Sequence, residues 1–188
     1  MEGESTMTDH LTSARPTLLP FRGKRPVVHP SAFLSNAVVI GDVEVGADAS
    51  LWFGVTVRGD VNEIRIGRGT NIQDGTVIHC TTDKFGTYIG EDVLVGHLAL
   101  LHGCVVEDGA FIGMKACLMD GVVVEKGAMV AAGALVTPGK RVKSGELWAG
   151  SPAKFVRMLT DEEKANLPKA APHYVQLAQQ YLREAGEG

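Results

Sequence analysis

Three of the six histidines in this 188-residue chain, His79, His97 and His102, lie close together in the sequence. They occur in HCTTDKFGTYIGEDVLVGHLALLHGC, a segment otherwise rich in glycine and aliphatic residues. Neutral imidazole is the commonest protein ligand of zinc, and three imidazoles leave one coordination position open for water. Zinc lowers the pKa of such a water to about 7. The three histidines therefore suggest attack on a substrate by a metal-bound hydroxide.

A repeat of about six residues indicates which elements position these histidines. An aliphatic residue recurs at this interval from Val28 to Val136. A small or β-branched residue, Ala, Val or Thr, occupies the fifth position of nearly every repeat. This pattern is typical of a narrow solenoid whose short parallel strands share one apolar interior and turn at glycines.

The repeat resembles that of the hexapeptide-repeat left-handed β-helix, in which three repeats form one triangular coil. We label the faces A, B and C in rotation from Val28, so that Ile40 falls on face C. All irregular steps then lie at the corner between faces C and A, which supports this register. We therefore predict an all-β solenoid, a left-handed parallel β-helix, and the resemblance alone implies the left hand.

The end of the chain changes character and is predicted to be helical. Thr160 and Glu163 form a capping box that begins a short helix, and Pro168 is expected to end it. A second helix is expected from Pro172 to about Ala185, with an apolar stripe that covers either its own coils or those of a neighbour. The stripe consists of Val175, Ala178 and Leu182. The predicted segments are a lead-in over residues 1–22, the β-helix over residues 23–158 and a C-terminal α-helical segment over residues 159–188.

The register places two of the three clustered histidines side by side. His79 and His102 each follow a face-C aliphatic residue and lie in adjacent coils, about 4.8 Å apart, where they can share one ion. His97 lies on face B, up to about 16 Å along the strand from His102. A threefold assembly would bring face B of one copy against face C of the next, so we predict a homotrimer with metal at its interfaces. The other histidines show no such relation and are expected to be ordinary: His10, His29 and His173.

Composition excludes several classes of partner. The chain has 18 basic and 22 acidic residues and a net charge of −4, so it lacks the basic field that attracts nucleic acid or an anionic membrane. Residues 1–20 lack the apolar core of a signal peptide, and no later run suggests a membrane span. Three cysteines suggest reduced thiols rather than a disulfide framework. We expect a cytoplasmic protein.

The sequence resembles the γ-class carbonic anhydrases over roughly residues 25–185. The matching segments are VRGDVNEIRIGRGTNIQDGTVIH, VGHLALLHGC, FIGMKACLMDGVVV and WAGSPAKFVR. The resemblance implies that His79 and His102 bind zinc from one subunit and His97 from its neighbour, in agreement with the register. It also implies the reversible hydration of carbon dioxide to bicarbonate. Iron or cobalt would fit three imidazoles as well as zinc.

The resemblance further points to four catalytic candidates. It implies that Arg58, Asp60 and Asp74 take part in contacts between subunits around the site, and that Gln73 orients the metal-bound oxygen. A purely structural ion pair at the interface is the alternative for Arg58 with Asp60 or Asp74.

The acidic residues that export protons in the best-known archaeal type are not in the expected places. That type has Glu directly after the RGD aspartate and a second Glu on a longer acidic loop. This chain has Val61 at the first position and only the short segment CTTDKFGTY at the second. Glu63 or Asp83 could accept protons instead, or both could be solvated loop charges.

Two other functions remain open at this point. Metal hydroxide could attack an acyl-CoA thioester as it attacks carbon dioxide, which would make the chain a thioesterase-type hydrolase. The chain could also be a non-catalytic, metal-stabilised scaffold subunit. A hexapeptide acyltransferase is disfavoured, because that chemistry needs a histidine base and no set of three ligands.

Overall fold

A parallel β-solenoid of about seven turns, followed by one long helix, makes up the part of the chain described by the computed structural model, residues 15–186. His10 lies outside these residues. Face B is a separate sheet of eight strands: β3 (Phe33–Leu34), β5 (Ser50–Leu51), β7 (Asn71–Ile72), β10 (Leu94–Val95), β13 (Phe111–Ile112), β16 (Met129–Val130), β19 (Glu146–Gly150) and β20 (Ala153–Met158).

Faces A and C form one sheet of twelve strands, because β4 and β6 run continuously round the corner between them. The strands of this sheet are β1 (Thr17–Leu19), β2 (Val27–Val28), β4 (Val38–Val45), β6 (Thr56–Ile66), β8 (Val77–His79), β9 (Thr87–Ile89), β11 (Leu100–His102), β12 (Val105–Val106), β14 (Cys117–Leu118), β15 (Val123–Val124), β17 (Leu135–Val136) and β18 (Arg141–Val142). All pairings between coils are parallel, and only β20 runs antiparallel, against β19.

The predicted repeat builds the interior of the solenoid. Leu101 pairs with Ile78 across adjacent coils, and both side chains are fully buried. Each such side chain contributes about 1.5–3 kcal/mol to stability through burial. Cys104 also points inward, and burial raises the pKa of its thiol to about 12. All three cysteines are free.

The register differs from the prediction at one position. Val39, not Ile40, is the buried residue of its coil, and it pairs with Val57. Ile40 faces outward and pairs with Arg58. Three consecutive β-branched residues at 38–40 hid this shift, because each suits the inward position equally well. One short step therefore lies at the corner between faces B and C, and the other three irregular steps lie at the predicted corner.

A single helix, α1 (Asp161–Gly186), follows the solenoid. Its start was predicted correctly, since Glu163 N donates to Thr160 Oγ1 at 3.2 Å and Thr160 N donates to Glu163 Oε2 at 2.8 Å. The predicted break at Pro168 is wrong, because the helix continues through both Pro168 and Pro172. These prolines lie one turn apart on the exposed side, where the carbonyl groups that lose their partners face water.

The helix packs on face B of its own solenoid. Ala178 is buried against Phe33 and Trp52, and Tyr181 meets the Trp52 ring edge-on at 5.4 Å between centroids. Leu182, which was expected in the apolar stripe, is instead exposed. Face B is therefore covered in its first coils, while face C has no such cover. No helix in the described part of the chain is long and apolar enough to cross a membrane.

Candidate metal centre

His79 and His102 are direct neighbours on the outer surface of face C. They end β8 and β11 and pair with each other in the ladder between these strands. The residues before them, Ile78 and Leu101, point inward and are fully buried. Because side chains alternate along a strand, both imidazoles must point outward. The stacked pair predicted from the register is therefore present.

The two rings direct one nitrogen each towards a common point. His79 Nδ1 lies 3.1 Å from His102 Nε2. The opposite nitrogens meet carboxylates, with His79 Nε2 at 3.0 Å from Asp60 Oδ1 and His102 Nδ1 at 2.7 Å from Asp120 Oδ1. An ionised carboxylate only accepts hydrogen bonds, so each imidazole donates its N–H to the carboxylate. In neutral rings the two facing nitrogens then both present lone pairs, an arrangement that suits a shared cation.

Local hydrogen bonds keep both carboxylates ionised. Burial acts to raise the pKa of Asp60, but hydrogen bonds from Arg58 and His79 outweigh it and hold this pKa below its ordinary value. Burial likewise acts to raise the pKa of Asp120, and hydrogen bonds from Thr81 and His102 lower it. Carboxylates that accept from the far nitrogen of an imidazole are the usual partners of metal-binding histidines. The donor set therefore fits a divalent metal ion.

The Arg58 guanidinium lies beside this pair, as the register predicted. Val57 pairs with Ile78, which places Arg58 one coil before His79 in the same outward column. Arg58 donates to Asp60 Oδ2 at 2.7 Å, and the arginine side chain is partly exposed. Within one chain, Arg58 therefore pairs with Asp60.

His97 lies apart from the other two histidines, at the corner between faces B and C. Its Nδ1 is 2.9 Å from Asp74 Oδ2, and this carboxylate thus belongs with His97. Gln73, next to Asp74, is buried and follows β7 on face B. Within residues 15–186, no three His, Cys, Asp or Glu side chains are placed to hold a metal by themselves. The seven predicted site residues thus form two groups within one chain.

Large apolar side chains flank His97. Leu98 is 56% exposed and Met114 is 57% exposed, and Phe53 is also exposed at this corner. Backbone hydrogen bonds stack the corner coil upon coil, with Leu98 N bonded to Asp74 O and Lys115 N to His97 O. We call Phe53, His97, Leu98 and Met114 the His97 ridge.

Sequence reasoning missed Asp120 and Thr81. Thr81 Oγ1 donates to Asp120 Oδ2 at 2.7 Å, so the second oxygen of this carboxylate is also bound. Leu118 pairs with Leu101, which places Asp120 one residue beyond the position opposite His102. The repeat register alone could have identified it.

The two proposed proton acceptors have different surroundings. Glu63 is engaged through both oxygens, since Arg65 donates to Oε2 at 2.8 Å and the Tyr88 hydroxyl donates to Oε1 at 2.7 Å. Asp83 lies exposed near the tip of the loop after β8. Glu63 is therefore part of an ion-pair network, and Asp83 is a solvated loop charge.

Known proteins resemble this chain along most of its length. "Gamma carbonic anhydrase 2, mitochondrial" from Arabidopsis thaliana is 48% identical over 190 residues, which cover 98% of this chain and 68% of that protein. "Probable carbonic anhydrase" from Methanocaldococcus jannaschii is 49% identical over 144 residues, which cover 77% of this chain and 90% of that protein. No family model matches the chain.

A solved structure has the same fold. The hexapeptide transferase family protein from Anaplasma phagocytophilum is 50% identical, with a TM-score of 0.84, and the match covers 88% of this chain and 98% of that one. The predicted left-handed parallel β-helix of hexapeptide repeats is thereby confirmed.

Proposed function

Since the chain belongs to the γ-class carbonic anhydrase family, we propose that it catalyses the reversible hydration of carbon dioxide to bicarbonate at a zinc ion between two subunits. Family membership supports the reaction. The observation that carries the metal site is the pair of facing nitrogens, 3.1 Å apart, each on an imidazole whose other nitrogen is held by a carboxylate.

The residues that would hold the metal come from two copies of the chain. His79 and His102 would bind it from one copy, and His97 from the next. When bound, the metal supplies Lewis acidity that brings the pKa of a water close to neutrality. Iron or cobalt would suit the same three imidazoles. Metal analysis of protein purified without air would identify the native ion.

The chain's own residues prepare the site for this chemistry. Asp60 and Asp120 hold the N–H groups of the two imidazoles, so that one lone pair of each ring points to a common position. Arg58 holds Asp60 through the other carboxylate oxygen. Buried Gln73 would orient the reacting oxygen from the copy that supplies His97. Asp74 would orient His97 in the same way as Asp60 orients His79.

Two outward surfaces support a homotrimer. The His97 ridge exposes Leu98 and Met114 more than soluble surfaces usually expose large apolar side chains. Face C carries an apolar strip beside His79 and His102, which no element of the chain covers. This strip consists of Val77, Leu100, Cys117 and Leu135. Contact between the ridge of one copy and face C of the next would bury both surfaces and bring the three histidines together.

The decisive experiment measures carbon dioxide hydration by stopped flow. In the purified protein at matched zinc loading, His102→Ala is expected to lower kcat/KM at least about 100-fold, because removing one of three ligands disrupts the site. His173→Ala is the matched control, since His173 is exposed on α1, and it should leave the rate unchanged.

Three outcomes would contradict the proposal. Equal rates for His102→Ala and the parent would exclude metal catalysis at this position. Hydrolysis of acyl-CoA without hydration of carbon dioxide would favour the thioesterase alternative. Metal binding without turnover of either substrate would favour a scaffold subunit. A cytoplasmic location stays a prediction, and the Arabidopsis relative is named as mitochondrial.

A further inference from the structure

We propose that Asp120, clamped by the loop Thr81–Phe85, is a positioning residue that fixes the orientation and tautomer of His102 for metal binding. The inference rests on the proposed function, because it takes His102 to be a metal ligand. Asp120 is not among the residues that the sequence pointed to, and its role follows from its contacts.

Both oxygens of Asp120 are bound in defined directions. Oδ1 accepts from His102 Nδ1 at 2.7 Å, and Oδ2 accepts from Thr81 Oγ1 at 2.7 Å. A carboxylate with both oxygens bound cannot rotate without breaking a hydrogen bond. Asp120 therefore transmits the position of Thr81 to the imidazole of His102.

The loop that carries Thr81 is closed on itself. Thr81 N donates to Phe85 O at 2.9 Å, and the amide N–H groups of Lys84 and Phe85 donate to Thr81 O at 3.3 Å. The Phe85 side chain lies over Gly103 and Gly121, because a Cβ added at either glycine would meet it. The loop is thus fastened to the two coils that carry His102 and Asp120.

The fit between this loop and Asp120 leaves no spare room. A Cβ at Gly103 would collide with Asp120 Oδ1 and would lie 2.9 Å from Phe85 Cβ. Gly103 adopts φ of +57°, a conformation that glycine accepts readily. The backbone next to His102 is therefore shaped to let the carboxylate approach.

The chemical consequence concerns the nitrogen that faces the metal position. Donation from Nδ1 to Asp120 places the His102 proton on Nδ1 and leaves a lone pair on Nε2, the atom 3.1 Å from His79 Nδ1. Without Asp120, the proton can move to Nε2 and the ring can turn. Both changes would remove a ligand from the site without altering the histidine itself.

The test measures zinc affinity by competition with a chelator, the visible spectrum of the cobalt-substituted protein, and the thermal midpoint of the metal-free protein. Asp120→Ala is expected to weaken zinc binding about 10–100-fold and to change the cobalt spectrum. Thr81→Val should weaken binding about two- to tenfold, the effect of one hydrogen bond. Asp120→Asn, which keeps an acceptor oxygen for Nδ1–H, should recover part of the loss.

Asp108→Ala is the matched control. Asp108 also lies at a corner of the solenoid, where its carboxylate accepts from Glu91 N at 2.9 Å and touches no histidine. It should lower the thermal midpoint without changing metal affinity. The inference is overturned if Asp120→Ala binds zinc as tightly as the parent, with the same cobalt spectrum, and only its thermal midpoint falls. A parent protein that binds no zinc would instead overturn the proposed function, and this inference with it.

Discussion

The glycines at the corners are individually adapted to their neighbours, and this is clearest beside the metal site. Gly103 and Gly109 both adopt positive φ, +57° and +62°. Only Gly103 is crowded, since a Cβ there would meet Asp120 and Phe85, whereas a Cβ at Gly109 would meet nothing within 4 Å. The pair therefore separates backbone strain from steric fit.

Gly103→Ala is predicted to cost more stability than Gly109→Ala and to weaken zinc binding. Both replacements pay for alanine at positive φ, about 1–3 kcal/mol, but only Gly103→Ala displaces Asp120. Denaturant unfolding of the metal-free proteins and zinc competition would measure the two effects. Equal zinc affinities for the two variants would contradict the prediction.

At this scale the sequence predicted the metal-binding pair better than its surroundings. The outward positions of His79 and His102 follow from the repeat, since the preceding residue is inward in each case. Asp120 lies two residues after an inward leucine and belongs to no recognised motif, so only its contact with His102 reveals it. Ring orientation depends on hydrogen bonds between coils, which a sequence pattern does not encode.

Among the elements, α1 depends on its first turn. Glu163 bonds to Thr160 and also pairs with Arg157 on β20, at 2.7 and 2.8 Å. The hydrogen bonds from Arg157 are the main cause that lowers the pKa of Glu163 from 4.5 to about 2. This pair therefore fastens the start of the helix to the last strand.

The protection of α1 is predicted to depend on pH through Glu163. Because its pKa is lowered in the folded state, the stabilisation is complete above about pH 4.5 and is lost as the pH falls towards 2. Hydrogen-exchange protection factors over the first turns of α1 should fall across this range in the parent. In Glu163→Gln they should be lower at neutral pH and nearly independent of pH. A parallel pH dependence in both proteins would contradict this.

The sequence predicted where the helix begins but not how far it runs. The capping box is a local signal, and it was read correctly. The continuation through Pro168 and Pro172 depends on packing, because Ala171, Tyr174 and Ala178 dock on face B and hold the helix straight past the prolines. Such support comes from residues more than 100 positions earlier, such as Trp52, and local patterns do not contain it.

For the whole molecule, the fold class followed from the repeat, since each coil presents the same inward positions. The extent of assembly does not follow in the same way, because it depends on what covers face C and the His97 ridge. Met114 on this ridge and Met158 on β20 are similarly exposed in the single chain, at 57% and 51%. They differ in whether the proposed trimer covers them.

Met114→Glu is predicted to dissociate the trimer and to reduce zinc content, because a buried unpaired charge is unfavourable and His97 would leave the site. Met158→Glu, the matched control, should leave both unchanged. Sedimentation velocity and metal analysis would provide the measurements. A Met114→Glu protein with the mass and zinc content of the parent would exclude the proposed interface.

The loop between His79 and His102 has a consequence for recognising and engineering such proteins. The two residues are 23 positions apart in sequence, yet they are partners in adjacent rungs of one ladder. Lengthening or shortening the excursion between them would change the interval without moving either imidazole. A search pattern written as a fixed spacing would overlook such variants, and the exposed tip at Asp83 offers a place to graft a foreign peptide while the rungs on either side stay aligned.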